Sequence, residues 1–572
     1  MLRHRQSDGD DISFNNNQSK HSEIVENELL TAAERNGEEM EMVPDGAVTP
    51  PSPPLWSLAS VRLTIAIALA LSLAIEGLMR SNINMAMVCM VNKTAISLMA
   101  AQNDQSNGIF GNASFSSPSP VHLAECAHLT EQTNGTKLGD PKIFEGGDLV
   151  ISKQMQSLIF TSFYLGGLLI ILPGSFLCDW LGPTHLVFYG ALLNVFGTFF
   201  TPFVVRHLGS VAFLVVRFLM GCGQVNKSSA LFLLYHFLCF WAFCTAIAIS
   251  TTGNQISVVL AMFVTAELCV VRWLGGWAAS FYIYGLIGVA FCAVWMLLVR
   301  DYPSQSKYIR SDELRLIELN GGHSNVSQKI SPNEVPWRRI LCSMVVWSTG
   351  FSSFSQNFMN VGIVVYLPTY YHNVLGMDLT SNGLMSALPF IVQLFTKILF
   401  AAIADWLKDR RLMSSTSVTK LFNLIACFGS GLCFVLLSLC DCRTPYLAIS
   451  LAVCAIGISS GFIPGYNTSV VCIAPRYTSS IASFSRLLGQ IASVVSPYGI
   501  GIIVANGTKA AWQFSFLGMA AILFSTGILF QFFGSATVQE WAVILPAHET
   551  HQQLTKLDAG TEGRRREQNV EE

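Results

Sequence analysis

The segment Gly174–Gly182, GSFLCDWLG, has a counterpart later in the chain, Ala401–Asp409, AAIADWLKD. Each segment follows a long apolar run and places a small residue and then Asp-Trp-Leu at the end of a predicted helix. An aspartate in that position can accept backbone amides or pair with a basic neighbour. Either nonapeptide alone carries little information. Together, at matching positions, they predict that the chain is built from two repeated halves.

Apolar runs surround both nonapeptides and indicate a membrane protein. Of the 572 residues, 51% are hydrophobic and only 12% are charged, whereas a soluble domain carries about 25% charged residues. A membrane-spanning helix needs about 20 apolar residues. Runs of suitable length lie at 62–90, 154–178, 184–205, 208–226, 229–248, 250–270, 274–299, 340–367, 383–404, 418–440, 445–474, 481–505 and 511–534. An even bundle with both polar termini on one side favours twelve spans, which makes 229–248 the doubtful candidate.

Polar segments divide the apolar runs into two groups. Residues 1–54 and 543–572 are polar and are predicted to be disordered cytoplasmic ends. Residues 300–339 are rich in lysine and arginine, and loops of this kind stay on the cytoplasmic side. The sequence therefore predicts a six-helix bundle at 55–299, a cytoplasmic central loop at 300–339 and a second six-helix bundle at 340–542.

The long polar loop 92–150 belongs on the opposite side, in the lumen of an organelle or outside the cell. It carries three Asn-X-Ser/Thr acceptors for glycosylation, at Asn92, Asn112 and Asn134. The fifteen cysteines of the chain lie mostly in apolar runs and show no metal-ligand spacing. They are therefore interpreted as small core hydrophobes, and no metal site is predicted.

Charges inside two apolar runs point to the functional site. An isolated charge in the middle of a bilayer is costly, yet Arg80 and Arg217 both lie within predicted spans. Glu76 precedes Arg80 by four residues, on the same helix face and in the favoured acid-first order. Two interpretations stay open at this point. Glu76 and Arg80 neutralise each other and aid packing, or the two arginines line a water-filled pocket that binds an anion.

Amides inside the apolar runs complete the set of candidate residues. Asn84 and Asn467 are candidates for the substrate path, whereas most other amides are expected to form hydrogen bonds between helices. The sequence contains no nucleophile–base pair or phosphate-cradling loop, so it predicts neither an enzyme nor a cofactor. The net charge of −2 argues against nucleic acid as a partner. The predicted partners are the lipid bilayer and a small anionic solute, with the oligomeric state left open.

Ordered motifs between about residues 60 and 542 resemble the anion:cation symporter family of the major facilitator superfamily. They include RSNINMAMVCMVN, RFLMGCGQ, TTGNQIS, GGWAASFYIYGLIG, LPTYYHNVLGMDL, ADWLKDRR, SGFIPGYNTS and APRYTSSI. The resemblance implies an all-α membrane protein, a twelve-helix major facilitator bundle of two six-helix pseudo-repeats. It also implies secondary active transport of small organic anions or inorganic phosphate by alternating access, driven by protons, sodium or the membrane potential.

The resemblance further implies roles for individual residues. Arg80 and Arg217 match the family's arginines of the first and fourth helices, which face the central cavity and hold the anionic group of the substrate. Asn467 matches an asparagine of the tenth helix. The family's coupling glutamate is replaced by Gln224, and the seventh-helix arginine of its glutamate-transporting members is replaced by about Gln356.

These departures leave the coupling mechanism open, with Na⁺ or H⁺ as the coupling ion. Gln224 does not titrate, so Glu76 is the acid expected near the pocket, and Glu267 is a weaker candidate. An uncoupled anion uniporter and a transport-inactive sensor or scaffold are the alternatives. The segment 226–248 lacks the charges of the family's connector, so either it repacks in the membrane or the gene is misspliced there. The expected location is the plasma membrane or a vesicular or lysosomal membrane.

Overall fold

The computed structural model describes residues 61–92, 147–225, 243–271, 275–300, 335–441, 443–474, 477–505 and 508–542. Several sequence-based predictions concern other residues. The polar ends 1–54 and 543–572, most of the loops 92–150 and 300–339, and the acceptors Asn112 and Asn134 lie outside the described residues.

The described residues form a helical bundle whose membrane-crossing helices are labelled α1 to α12. The first six are α1 (Val61–Met90), α2 (Lys153–Leu181), α3 (Pro183–His207), α4 (Gly209–Cys222, continued by a 3-10 turn to Val225), α5 (Phe243–Val270) and α6 (Trp277–Leu298). The second six are α7 (Met344–Asn373), α8 (Leu379–Asp409), α9 (Ser415–Ser438), α10 (Pro445–Cys472), α11 (Thr478–Val504) and α12 (Lys509–Phe533).

Twelve crossings in the described part of the chain agree with the predicted twelve-helix bundle. Ten of these helices are long and apolar enough to span a membrane by themselves. α4 is shorter, with 14 residues, and α7 is more polar because serine, glutamine and asparagine side chains interrupt it. The doubtful candidate 229–248 overlaps the start of α5, which runs unbroken through 243–270, and the rest of that segment lies outside the described residues.

Local sequence determines where several helices begin and end. Asp378 caps α8, because its side chain accepts a hydrogen bond from the Ser381 amide at 3.1 Å. Thr508 caps α12 in the same way, accepting from the Ala511 amide at 3.3 Å. Such caps satisfy amides that have no partner inside the helix. At the end of the first nonapeptide, Gly182 has a φ of 78°, a left-handed conformation that glycine adopts without a Cβ clash.

Small residues bring the helices of the first half close together. A Cβ atom on Gly253 of α5 would lie 2.0 Å from the Ala70 carbonyl oxygen of α1. A Cβ atom on Gly221 of α4 would lie 1.9 Å from the Phe163 carbonyl oxygen of α2. Small residues let membrane helices approach until their backbones are in van der Waals contact. These two contacts hold α1 on α5 and α2 on α4 around the predicted arginine site.

Two cysteines are joined in a disulfide, which corrects their interpretation as core hydrophobes. Cys89 near the end of α1 and Cys269 near the end of α5 have Cα atoms 6.2 Å apart. They are separated by 180 residues, so no local spacing reveals the pair, which forms because α1 packs on α5. Disulfides persist in oxidising compartments. Both cysteines lie at the end of the bundle where α1 finishes, which the sequence assigns to the lumen or the cell exterior.

The two halves meet where α2 packs on α11 and where α5 packs on α8. We call the end at which α1 finishes the luminal end, and the opposite one the cytoplasmic end, following the sidedness predicted from the sequence. At the luminal end, a Cβ atom on Gly501 of α11 would lie 2.3 Å from the Ser157 Cβ of α2. At the same end, in the second contact between the halves, a Cβ atom on Gly383 of α8 would lie 2.4 Å from the Ala266 Cβ of α5. The halves are therefore in close contact at the luminal end.

Glutamine side chains join the halves at mid-height. Gln490 of α11 donates through Nε2 to the Tyr164 carbonyl oxygen of α2 at 3.0 Å. Gln255 of α5 donates through Nε2 to Gln393 Oε1 of α8 at 3.4 Å. The prediction that amides inside the spans form hydrogen bonds between helices is confirmed at both places.

Candidate functional site

Arg80 of α1 and Arg217 of α4 lie next to each other in the first half. Arg217 Nη2 donates to the Arg80 carbonyl oxygen at 3.4 Å, and Arg80 Nη2 donates to Asn254 Oδ1 of α5 at 2.7 Å. Arg217 is 3% exposed and its Cζ lies 4.5 Å from the centre of the Phe163 ring. Arg80 is half-buried. The structure thus brings together the two arginines that the sequence singled out, and Arg217 packs against the Phe163 ring.

The positive charge of this pair is not balanced by an ion pair within the described part of the chain. Neither guanidinium is bridged there to an Asp or Glu side chain. The buried Tyr164 of α2 lies within electrostatic range of both arginines. The Arg217 Nε is buried without a hydrogen-bond partner. Because buried charge without a partner is costly, an arriving anion would stabilise this arrangement.

Glu76 and Asn84 lie one helical turn before and one after Arg80. Both are buried, with 2% and 4% of their surfaces exposed. Between Arg80 and Asn84, Asn82 accepts a hydrogen bond from Thr265 Oγ1 of α5 at 2.9 Å. The two candidates therefore lie inside the packing of the first half in this conformation, whereas part of the Arg80 side chain is accessible.

Gln224 lies where three helices of both halves meet. It is half-buried in the 3-10 turn that continues α4. A Cβ atom on Gly167 of α2 would lie 3.0 Å from Gln224 Oε1 and 2.8 Å from Gln490 Nε2 of α11. The absence of a side chain at Gly167 leaves room for both amides. An amide that does not titrate therefore occupies the position at which the resemblance implied a coupling acid.

Asn467 lies in the second half, in a distorted part of α10. Residues Ile463–Asn467 form a π turn, an irregularity that is frequent at functional sites. Asn467 is exposed, and its Nδ2 donates to the Phe462 carbonyl oxygen at 3.2 Å. The preceding Tyr466 is 5% exposed and donates through its hydroxyl to Gln356 Oε1 of α7 at 2.5 Å. Asn467 thus belongs to a polar group of the second half, separate from the arginine pair.

A third arginine, which the sequence analysis did not single out, lies in α11. Arg486 is exposed and interacts electrostatically with the buried Tyr466. It precedes Gln490 by four residues, so the two side chains share a helix face, with Arg486 one turn nearer the cytoplasmic end. Because Gln490 contacts the first half, Arg486 lies close to the contact between the halves, on its cytoplasmic side. The sequence feature that could have identified Arg486 is a charge inside the apolar run 481–505, which is the kind of feature that identified Arg80.

Closure of the luminal end depends on residue 501 being a glycine, which has no side chain. We expect Gly501→Ala to separate the halves there, because the added methyl would lie 2.3 Å from Ser157 Cβ and 2.5 Å from the Tyr366 hydroxyl. The measurement is labelling of a Thr161→Cys reporter, one turn deeper in α2, by a membrane-impermeant thiol reagent added from the luminal side. Labelling should become faster. Gly499→Ala is the matched control, since that Cβ would meet nothing within 4 Å; equal labelling rates in both variants would contradict the prediction.

Two six-helix halves in contact through α2 with α11 and α5 with α8, with charged side chains inside the apolar helices, are typical of a membrane transporter of two repeated bundles. The chain belongs to the Major Facilitator Superfamily, whose family model matches residues 69–497. It is a multi-pass membrane transporter and not an enzyme.

Characterised and uncharacterised relatives confirm the resemblance to the anion:cation symporters. The chain is 27% identical over 510 residues to the uncharacterized transporter slc-17.3 of Caenorhabditis elegans, covering 86% of this chain and 91% of that one. It is 28% identical to vesicular glutamate transporter 1 of Bos taurus, covering 69% and 71% of the two chains. It is 24% identical to a putative inorganic phosphate cotransporter of Drosophila melanogaster, covering 84% and 86%.

A solved structure shares the fold. The xylose transporter XylE from E. coli, in its inward open conformation, superposes with a TM-score of 0.55 over 83% of this chain and 96% of that chain. The two sequences are 11% identical, so this likeness concerns the fold alone.

Proposed function

We propose that this transporter moves a small organic anion or inorganic phosphate by alternating access, with the anion bound at Arg80 and Arg217. The observation that carries the proposal is that the Arg217 guanidinium contacts the Arg80 backbone carbonyl and lies within electrostatic range of the Arg80 side chain, while neither arginine forms an ion pair with a carboxylate among the described residues. Relatives named for glutamate and phosphate transport support the same class of substrate.

The two arginines have different parts in binding. Arg80 is half-buried and uses one guanidinium nitrogen on Asn254, which leaves further N–H donors for a carboxylate or a phosphate. Arg217 is held by the Phe163 ring and the Arg80 carbonyl, so it fixes α4 against α1 and α2 and adds positive charge. The anion therefore meets Arg80 first, and Arg217 strengthens the field at that point.

Transport follows when the contact between the halves moves from one end to the other. In the present conformation the halves touch at the luminal end, at Gly501 and Ser157, and Arg486 is exposed nearer the cytoplasmic end. Rocking of the halves about the mid-height glutamines would reverse this arrangement. An anion that neutralises the arginines lowers the cost of enclosing their charge, so binding favours the closure that precedes release on the other side.

Glu76 is the proposed coupling residue for proton-driven symport. It is buried one turn from Arg80, and protonation would remove a negative charge from that neighbourhood. Proton binding and anion binding are therefore linked through the charge around Arg80. The rival is downhill uniport, which Gln224 favours because it places an amide where the resemblance implied a titrating glutamate.

Ion-gradient uptake into proteoliposomes tests these proposals together. Labelled phosphate, glutamate, urate and sialic acid would each be offered under imposed proton, sodium and voltage gradients. We expect uptake of at least one anion above that of protein-free liposomes. Accumulation beyond equal concentrations identifies symport and the coupling ion, whereas uptake that stops at equality identifies uniport. If correctly inserted protein takes up none of the four anions, the proposed substrate class is wrong.

A further inference from the structure

We propose that Arg486 is the anion-binding residue of the second half, and that Tyr466 and Gln356 complete its site. The inference rests on the proposed function and extends it, because it assigns the same anion a second contact on the other side of the cleft. The sequence assigned anion-binding arginines to the first half alone, because about Gln356 stands where the family's glutamate-transporting members carry an arginine of the seventh helix.

The position of Arg486 carries the first step of the argument. The side chain is exposed, yet it lies well inside α11, eight residues after the helix begins at Thr478, which is about 12 Å along the helix axis. It shares a face with Gln490, whose amide reaches the first half at the Tyr164 carbonyl oxygen. The exposed surface of Arg486 therefore belongs to the cleft between the halves, where water covers the charge, and not to the lipid-facing side.

The surroundings of Arg486 are those of a binding group. Within the described part of the chain it forms no salt bridge, and its electrostatic neighbour is the buried Tyr466. The Tyr466 hydroxyl donates a hydrogen bond to Gln356 Oε1. The Gln356 amide nitrogen therefore points away from the tyrosine and can donate to another group. A guanidinium fork and an amide donor on neighbouring helices are suited to carboxylate or phosphate oxygens.

The new site adjoins the arginine pair of the first half. Gln490, one turn from Arg486, contacts the Tyr164 backbone, and the Tyr164 side chain lies within electrostatic range of Arg80 and Arg217. An anion that enters from the cytoplasmic side therefore passes Arg486 on the way to Arg80. Because these two arginines belong to different halves, an anion that contacts both would draw the halves together. Arg486 thereby links anion binding to closure of the cytoplasmic side.

A lysine in α8 allows a matched comparison. Lys397 follows Gln393 by four residues, and Gln393 contacts the first half through Gln255. Lys397 is half-buried and lies one turn nearer the cytoplasmic end than Gln393, as Arg486 does relative to Gln490. It shares the depth and the charge of Arg486 and has no described contact with Tyr466 or Gln356. It therefore separates a general effect of positive charge from a specific site.

The test is equilibrium binding of labelled phosphate, glutamate, urate and sialic acid to the purified full-length protein. Arg486→Gln should raise the Kd of the anion that binds by about tenfold or more, through loss of charge-assisted hydrogen bonds. Arg486→Lys should raise it less. Adding Gln356→Arg to Arg486→Gln should restore most of the affinity, because it returns a guanidinium to the other side of Tyr466. Lys397→Gln and the exposed-surface control Arg338→Gln should leave the Kd within about twofold of wild type.

The possible outcomes separate this inference from the proposed function. If Arg80→Ala weakens binding and Arg486→Gln does not, the site at Arg486 is overturned and the proposed function stands. Equal weakening by Lys397→Gln and Arg486→Gln would overturn the specific site in favour of a general electrostatic field. If wild-type protein binds none of the four anions, the proposed function and this inference both fail. Weakening by Arg80→Ala and by Arg486→Gln but not by Lys397→Gln or Arg338→Gln, with rescue of Arg486→Gln by Gln356→Arg, supports it.

Discussion

Arg80→Ala should lower the initial rate of anion uptake into proteoliposomes by about tenfold or more at anion concentrations below saturation. A hydrogen bond to a charged group contributes about 1.5–3 kcal/mol, and each 1.4 kcal/mol corresponds to about tenfold in affinity. The loss should be large because Arg80 is the accessible member of the pair, whereas Arg217 is 3% exposed. The measurement is the uptake rate as a function of anion concentration.

Arg80→Lys distinguishes charge from shape at the same position. Lysine keeps the positive charge but offers a point charge in place of a planar fork. It should therefore bind the anion with an affinity between those of wild type and Arg80→Ala. Arg338→Ala is the control, because Arg338 is exposed outside the membrane-crossing helices. Normal uptake by correctly inserted Arg80→Ala protein would show that the anion binds elsewhere.

Glu76→Gln should abolish the increase in uptake that a proton gradient produces, and should leave downhill exchange of the anion in place. Glutamine has nearly the shape of a protonated glutamate but cannot release a proton, so binding of the anion is no longer linked to that of H⁺. Glu76 is 2% exposed, and because glutamine has nearly the same shape, the variant should also keep the packing of α1. The measurement compares accumulation with and without an imposed proton gradient.

Glu267→Gln provides the comparison for this prediction. Glu267 is half-buried near the luminal end of α5 and is the other acid that the sequence offered for coupling. Accumulation driven by protons should survive in Glu267→Gln. Proton-driven accumulation that persists in Glu76→Gln and is lost in Glu267→Gln would move the coupling role to α5. Persistence in both variants would exclude both acids.

The amino-acid sequence alone determined the class of fold and the position of the first two arginines. Length and apolarity of a run are local properties, so the spans could be placed to within a few residues, as in α1, predicted at 62–90 and observed at Val61–Met90. A charge inside an apolar run is a local signal as well, and it identified Arg80 and Arg217. The paired nonapeptides correctly indicated two halves.

Only the tertiary structure decided what each of these side chains contacts. Whether Arg217 faces water or an aromatic ring depends on how α2 packs on α4, and the partner of Cys89 lies 180 residues away. The role that we propose for Arg486 depends on Tyr466 and Gln356, which come from two other helices. An apolar run fixes that a helix crosses the bilayer but leaves open which of its faces meets a neighbour, because that choice is made by packing between distant segments.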